Sequence, residues 1–198
     1  MNIATMFLQG GFIAFGLTFV EKRLLPVSFL DDTVNNITRS YGILLLILSV
    51  CAFWTILCGT SIGKAREKYM ELAKKDGEKD PELRYALPNL YVEGNTVHAR
   101  AFNCVQRSHQ QILETLPQYL LFSAIAGISF PLTTSASCLL WLYARIVWAK
   151  GYQKSEGDIK KRYDHPISKH IWTTLIAVFF MALMTCVNVV LDGIFKFW

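Results

Sequence analysis

Five long apolar runs, at roughly residues 4–20, 41–62, 112–131, 133–149 and 171–191, limit what this chain can fold into. Nearly all of the charge lies in the links between them. A helix that crosses a bilayer needs about 20 mostly apolar residues. Within lipid a single segment can satisfy its own backbone amides only as a helix. The expected class is therefore all-α, a polytopic membrane four-helix bundle preceded by an extra N-terminal hydrophobic segment. A hydrophobic fraction of 53% and a mean hydropathy of +0.31 over 198 residues agree with that expectation. The division of the chain follows the same runs, with a hydrophobic segment and loop over residues 1–40 and the four-helix transmembrane domain over 41–198.

Loop charge gives an orientation. The link at 64–111 carries nine Lys and Arg residues and the link at 150–170 carries six, whereas "SFPLT" between the third and fourth runs carries none. In an up-down bundle both basic links fall on one membrane face, and the excess of Lys and Arg marks that face as cytosolic. Residues 1–20 lack a basic leader and a small-residue cleavage pattern, which favours a fifth helix or an uncleaved anchor over a signal peptide. Asn36-Ile37-Thr38 is a glycosylation sequon on the opposite side. A net charge of +5 without a basic stripe or interleaved aromatics argues against nucleic acid as a partner. The five cysteines form no C-x-x-C pair and read as small apolar residues, with no metal-ligand spacing among them. Residues 64–84 carry mixed charge at helical spacing, including Glu71 and Lys75 at i,i+4. They read as a helix leaving the membrane into a solvated link.

The chemistry concentrates where the third run begins. In "NCVQRSHQQILETLPQYLLFSAIAGI" (103–128), Arg107, Gln111 and Glu114 fall at i, i+4 and i+7 and so share one helical stripe. Glu114 already lies in the apolar run, where a carboxylate is costly unless paired or wetted. Arg107 is the evident partner, and a purely structural ion pair is the plain reading. The fourth run ends in "WLYARIVWAKGYQKSEGDIKKR", which brings Arg145, Trp148 and Tyr152 to the same membrane face. Snorkelling and an aromatic belt would account for the first two without any ligand. Together these groups suit a ligand that bears carboxylates and an ammonium group.

Three motifs, "KAREKY" (64–69), "FNCVQRSHQQILETLP" (102–117) and "LWLYARIVWAKGY" (140–152), resemble the MAPEG family, the membrane-associated proteins of eicosanoid and glutathione metabolism. The resemblance covers roughly residues 41–195. It implies a homotrimer of four-helix subunits in the endoplasmic reticulum or nuclear envelope, with glutathione as cosubstrate in sites at subunit interfaces, open to the cytosol. By the match, Arg107 and Glu114 hold the charged backbone of glutathione, Arg66 reaches a carboxylate, and Gln111, Arg145, Trp148 and Tyr152 line the pocket. Activation of the thiol falls to Tyr152 and to a cation in "SEGDIKKR", where Lys160, Lys161 and Arg162 all stand at about the right distance. The implied activity is conjugation of lipophilic electrophiles or reduction of lipid hydroperoxides. Gln111 replaces the usual asparagine of the family pattern. Thr115 and Trp148 replace tyrosines of its leukotriene-forming synthase. Two other readings stand beside this one: a non-catalytic lipid-presenting member of the family, and a small transporter or receptor gated by Arg107 and Glu114.

Overall fold

The computed structural model describes residues 3–24, 33–34 and 37–192. Helices form over all five apolar runs: α1 (Ile3–Leu24), α2 (Arg39–Lys75), α4 (Val97–Ser129), α5 (Pro131–Gln153) and α6 (Ile171–Asp192), with a short α3 (Pro81–Arg84) in the second link. Two 3-10 segments, Ile159–Tyr163 and Pro166–His170, lie between α5 and α6. Among the described residues, three helices are long and apolar enough to cross a membrane: Arg39–Lys75, Val97–Ser129 and Pro166–Leu191. The run in α1 is shorter, Phe7–Glu21, because Glu21 closes it. In α5 the run is diluted by Thr133, Thr134, Ser135, Ser137 and Arg145. The architecture is all-α and polytopic, as expected from the runs, with one addition. Thr33–Val34 and Ile37–Thr38 pair as a minimal antiparallel ladder. Asn36 of the sequon lies outside the described residues. Its Thr38 accepts a hydrogen bond from the Tyr41 amide (3.3 Å) and so caps α2.

The chain divides into two compact units. One contains residues up to Cys51, Leu116–Tyr143 and the chain from Lys169 onward. Its core joins Leu44, Leu48, Tyr119, Ala126, Cys138, Trp141, Val178 and Met181. Tyr119 and Trp141 stack with ring centroids 3.9 Å apart, which locks α4 to α5. In this unit α1 packs along α6. The approach is closest at Gly10, where a Cβ would lie 2.6 Å from Ile176 Cγ2. At its other end α1 supplies a cap to a different helix. The buried Glu21 carboxylate accepts hydrogen bonds from the amides of Leu132 (2.9 Å) and Thr133 (2.8 Å). Those are among the first amides of α5, which no turn of their own helix can satisfy. An anion there also meets the positive end of the helix dipole.

The other unit contains Ala52–Thr115 and Ala144–Ser168. Tyr69, Tyr85, Val92, Phe102 and Val105 form its core. The link between α2 and α4 is tied down rather than solvated throughout. Glu78 accepts from Arg84 (2.8 Å) and Thr96 (2.9 Å), and Asn103 both accepts from and donates to the Val92 backbone. Glu71 pairs with Lys74 at 3.0 Å, not with Lys75. Glu82 reaches the same ammonium at 3.1 Å, which draws Lys74 toward the link.

Replacing Glu21 by alanine leaves one buried and one partly buried amide without an acceptor, at a cost of about 1–3 kcal/mol. The expected outcome is a lower unfolding temperature in detergent, with Glu21→Gln falling between the two. A thermal melt followed by circular dichroism checks both.

Candidate functional site

The third and fourth runs meet through a buried arginine. Arg145 is 1% exposed, on the face of α5 turned toward α4. Its guanidinium donates to the Gln111 side-chain carbonyl and, at 2.5 Å, to the Thr115 hydroxyl. Transfer of a charged group from water into an apolar interior is costly unless its donors are satisfied, so α4 must present acceptors at this height. Gln111 and Thr115, four residues apart on one helical face, do so. Thr115 also donates back to the Gln111 backbone carbonyl at 3.0 Å. Two residues later Pro117 stands inside α4, where it removes one backbone donor from the helix.

Below the arginine, α5 carries Trp148 and Tyr152, both buried. Arg145 lies 5.4 Å from the Trp148 ring centroid. Trp148 and Tyr152 meet edge to face at 5.0 Å. Arg162 donates to the Tyr152 hydroxyl at 3.1 Å and lies over that ring at 5.2 Å. Gly151 makes this possible, because the Lys161 carbonyl crosses α5 where a Cβ would be 2.6 Å away. The 3-10 segment Ile159–Tyr163 therefore folds back on α5 and brings Arg162 to the phenol. Lys160 and Lys161 are exposed. Two buried N–H groups here, Nε1 of Trp148 and Nε of Arg162, have no hydrogen-bond partner among the described residues.

Arg107 and Glu114 pair along α4 itself at 2.6 Å, each side chain about half exposed. Arg107 also lies within electrostatic reach of the Tyr152 phenol. The pair thus has an open flank, where solvent reaches both the carboxylate and the guanidinium. Arg66 serves the backbone of the folded link. It donates to the backbone carbonyls of Tyr85 (3.0 Å) and Asn89 (2.8 Å) and covers the Phe102 ring at 4.7 Å. It organises the link between α2 and α4.

Of the residues singled out in the sequence, Gln111, Arg145, Trp148, Tyr152 and Arg162 are joined in one chain of contacts, with Arg107 and Glu114 as a separate ion pair. No hydrogen bond or ion pair among the described residues joins the side chains of Arg66 or Lys161 to this set. Arg145 and Trp148 are buried, so neither snorkelling nor an aromatic belt accounts for them. In the sequence Thr115 stands out only as a substituted position. Its spacing of four from Gln111 is the signal that places it on the same stripe.

With this geometry established, the comparison with known families is decisive: the model of the MAPEG family matches residues 44–187. The chain belongs to the MAPEG family. The matched span begins within α2 and ends within α6, so α1 lies outside it. This family includes glutathione transferases and peroxidases together with other members.

Gln111→Leu removes an acceptor from the buried guanidinium and is expected to cost about 1–3 kcal/mol. Tyr152→Phe removes one hydrogen bond and is expected to cost about 1 kcal/mol. A Gln111→Leu protein as stable as the parent would show that Arg145 does not depend on this bond. Thermal unfolding of the three proteins side by side provides the comparison.

Proposed function

We propose that this MAPEG protein is a glutathione-dependent membrane transferase or peroxidase, similar in its motifs to the type 3 microsomal glutathione S-transferases. The observation that carries the reading is the donor set around Tyr152. The two buried N–H groups without partners among the described residues, Trp148 Nε1 and Arg162 Nε, belong to side chains that both contact the Tyr152 ring, whose hydroxyl is bonded to the guanidinium. Such groups are suited to an anionic guest. The open flank of Arg107 and Glu114 offers the complementary pair of charges that an amino acid backbone requires.

In this reading Glu114 accepts from the α-ammonium of glutathione and Arg107 donates to a neighbouring carboxylate. Arg145 fixes the height of α4 against α5 through Gln111 and Thr115. Arg162 is the activating cation, rather than Lys160 or Lys161, because it alone of the three touches Tyr152. An unperturbed thiol titrates near 8.5, and a guanidinium beside it favours the thiolate. Tyr152 donates its proton toward the sulfur while accepting from Arg162. The thiolate attacks an electrophilic carbon, forming a C–S bond as the leaving group departs or as the addition product takes up a proton. With a hydroperoxide it attacks the distal oxygen and releases the alcohol after protonation. A second glutathione then reduces the sulfenic acid, giving the disulfide and water.

The lipophilic cosubstrate reaches the protein through the bilayer. The assembly in this reading is a homotrimer in the endoplasmic reticulum or nuclear envelope, with the basic links and the site on the cytosolic face. Residues 41–198 are the family domain and residues 1–40 an addition to it.

Isothermal titration of the detergent-purified protein with glutathione tests the proposal. The expected outcome is saturable binding that weakens by roughly tenfold or more in Glu114→Ala, the equivalent of about 1.4 kcal/mol. Absence of binding by the parent protein would overturn it and favour the lipid-presenting reading.

A further inference from the structure

A concavity lies in the unit that holds Arg145, but on another face of α5. It has a volume of about 330 Å³ and is lined by Trp54, Leu57 and Ser61 of α2 and by Ile146, Lys150 and Gln153 of α5. At 3.6 residues per turn, this face of α5 is roughly a third of a turn from the one carrying Arg145, Trp148 and Tyr152. The two sites are therefore distinct.

Its polarity is graded along its length. In this unit α2 and α5 each run antiparallel to α4, as Gly59 against His109 with Arg66 against Phe102, and Arg145 against Gln111 with Gln153 against Ser108, show. The two walls therefore run in the same direction. Trp54, Leu57 and Ile146 stand at one end, and Ser61, Lys150 and Gln153 at the other. The apolar end includes Leu57, which is exposed, on a helix long and apolar enough to cross the membrane. At the polar end Lys150 is exposed and has no ion pair among the described residues. A hydroxyl and a side-chain amide stand beside it. A lysine near a helix end places its ammonium at the height of lipid head groups.

We infer that this groove is a binding site for an anionic amphiphile with a long hydrocarbon chain. The chain lies along Trp54, Leu57 and Ile146, and the carboxylate or phosphate pairs with Lys150. The Gln153 amide donates a further hydrogen bond to the head group, while the Ser61 hydroxyl keeps its bond to the Cys58 carbonyl. Ligand pockets of a few hundred Å³ that are mostly apolar, with a few convergent polar groups, have this character. The site is independent of the glutathione reading, since it uses none of the same side chains.

Quenching of Trp54 by brominated lipid tests the inference on the full chain. In detergent, 9,10-dibromostearate is expected to quench a saturable fraction of the tryptophan emission. Trp54→Phe is expected to remove that fraction. Lys150→Ala is expected to raise the half-saturating concentration by roughly tenfold, about 1.4 kcal/mol, and Lys150→Arg to restore it. In nanodiscs, quenching by brominated phosphatidylglycerol but not by brominated phosphatidylcholine would assign the head group to bilayer phospholipid. Quenching by the free acid alone would assign it to a fatty acid. Unsaturable quenching that is equal in Lys150→Ala would overturn the inference as simple partitioning. So would a Ser61→Cys protein that cross-links to a second copy while Trp54 stays unquenched, since a neighbouring chain would then fill the groove. Glutathione binding measured in Lys150→Ala separates the two proposals, because it is expected to remain unchanged.

Discussion

A guanidinium held away from water imposes a condition on everything around it: its hydrogens must find acceptors at fixed positions. Arg145 imposes that condition here. The acceptors, the Gln111 amide and a Thr115 hydroxyl anchored to the α4 backbone, come from a different helix, so neither helix can slide or rotate without breaking them. Helices that associate in lipid gain little from the hydrophobic effect and rely on packing and polar contacts. The Arg145 cluster is such a contact, and it fixes the register in which the remaining site residues appear.

The lower part of α5 depends on that register. Trp148 is one turn beyond Arg145 and Tyr152 one turn beyond Trp148, so the three stand in a column. The absence of a side chain at Gly151 lets the returning backbone lie directly on α5. That single close approach distinguishes Arg162 from its neighbours. Lys160 and Lys161 have the same charge and nearly the same sequence position, but they face solvent. A flexible basic loop is thereby reduced to one cation in contact with one phenol.

Much of this could be read from the amino acids. Hydropathy marked every long helix, because lipid leaves the backbone no alternative. The stripe of Arg107, Gln111 and Glu114 came from helical spacing, and the ion pair within it formed on α4 itself. The rest depended on distances that spacing does not contain. Glu21 looked like the end of an apolar run, and its capping of α5 joins residues more than 100 positions apart. Thr115 stood out only as a replaced tyrosine, and its role as an acceptor for a guanidinium appears only in the fold. Arg66 lay in a motif at the end of α2, and its two backbone acceptors came from residues 19 and 23 positions away in the folded link. Glu71 was within reach of two lysines, and the position of Glu82 decided between them.

The contact between Arg162 and Tyr152 is the element on which the proposed chemistry turns. The direct measurement is the ultraviolet absorbance of the glutathione thiolate bound to the purified protein, titrated against pH in the parent and in Arg162→Leu. The bound thiol is expected to ionise well below its usual value near 8.5, and to return toward that value in Arg162→Leu while glutathione still binds. A parent protein that binds glutathione without any thiolate signal at neutral pH would contradict this assignment.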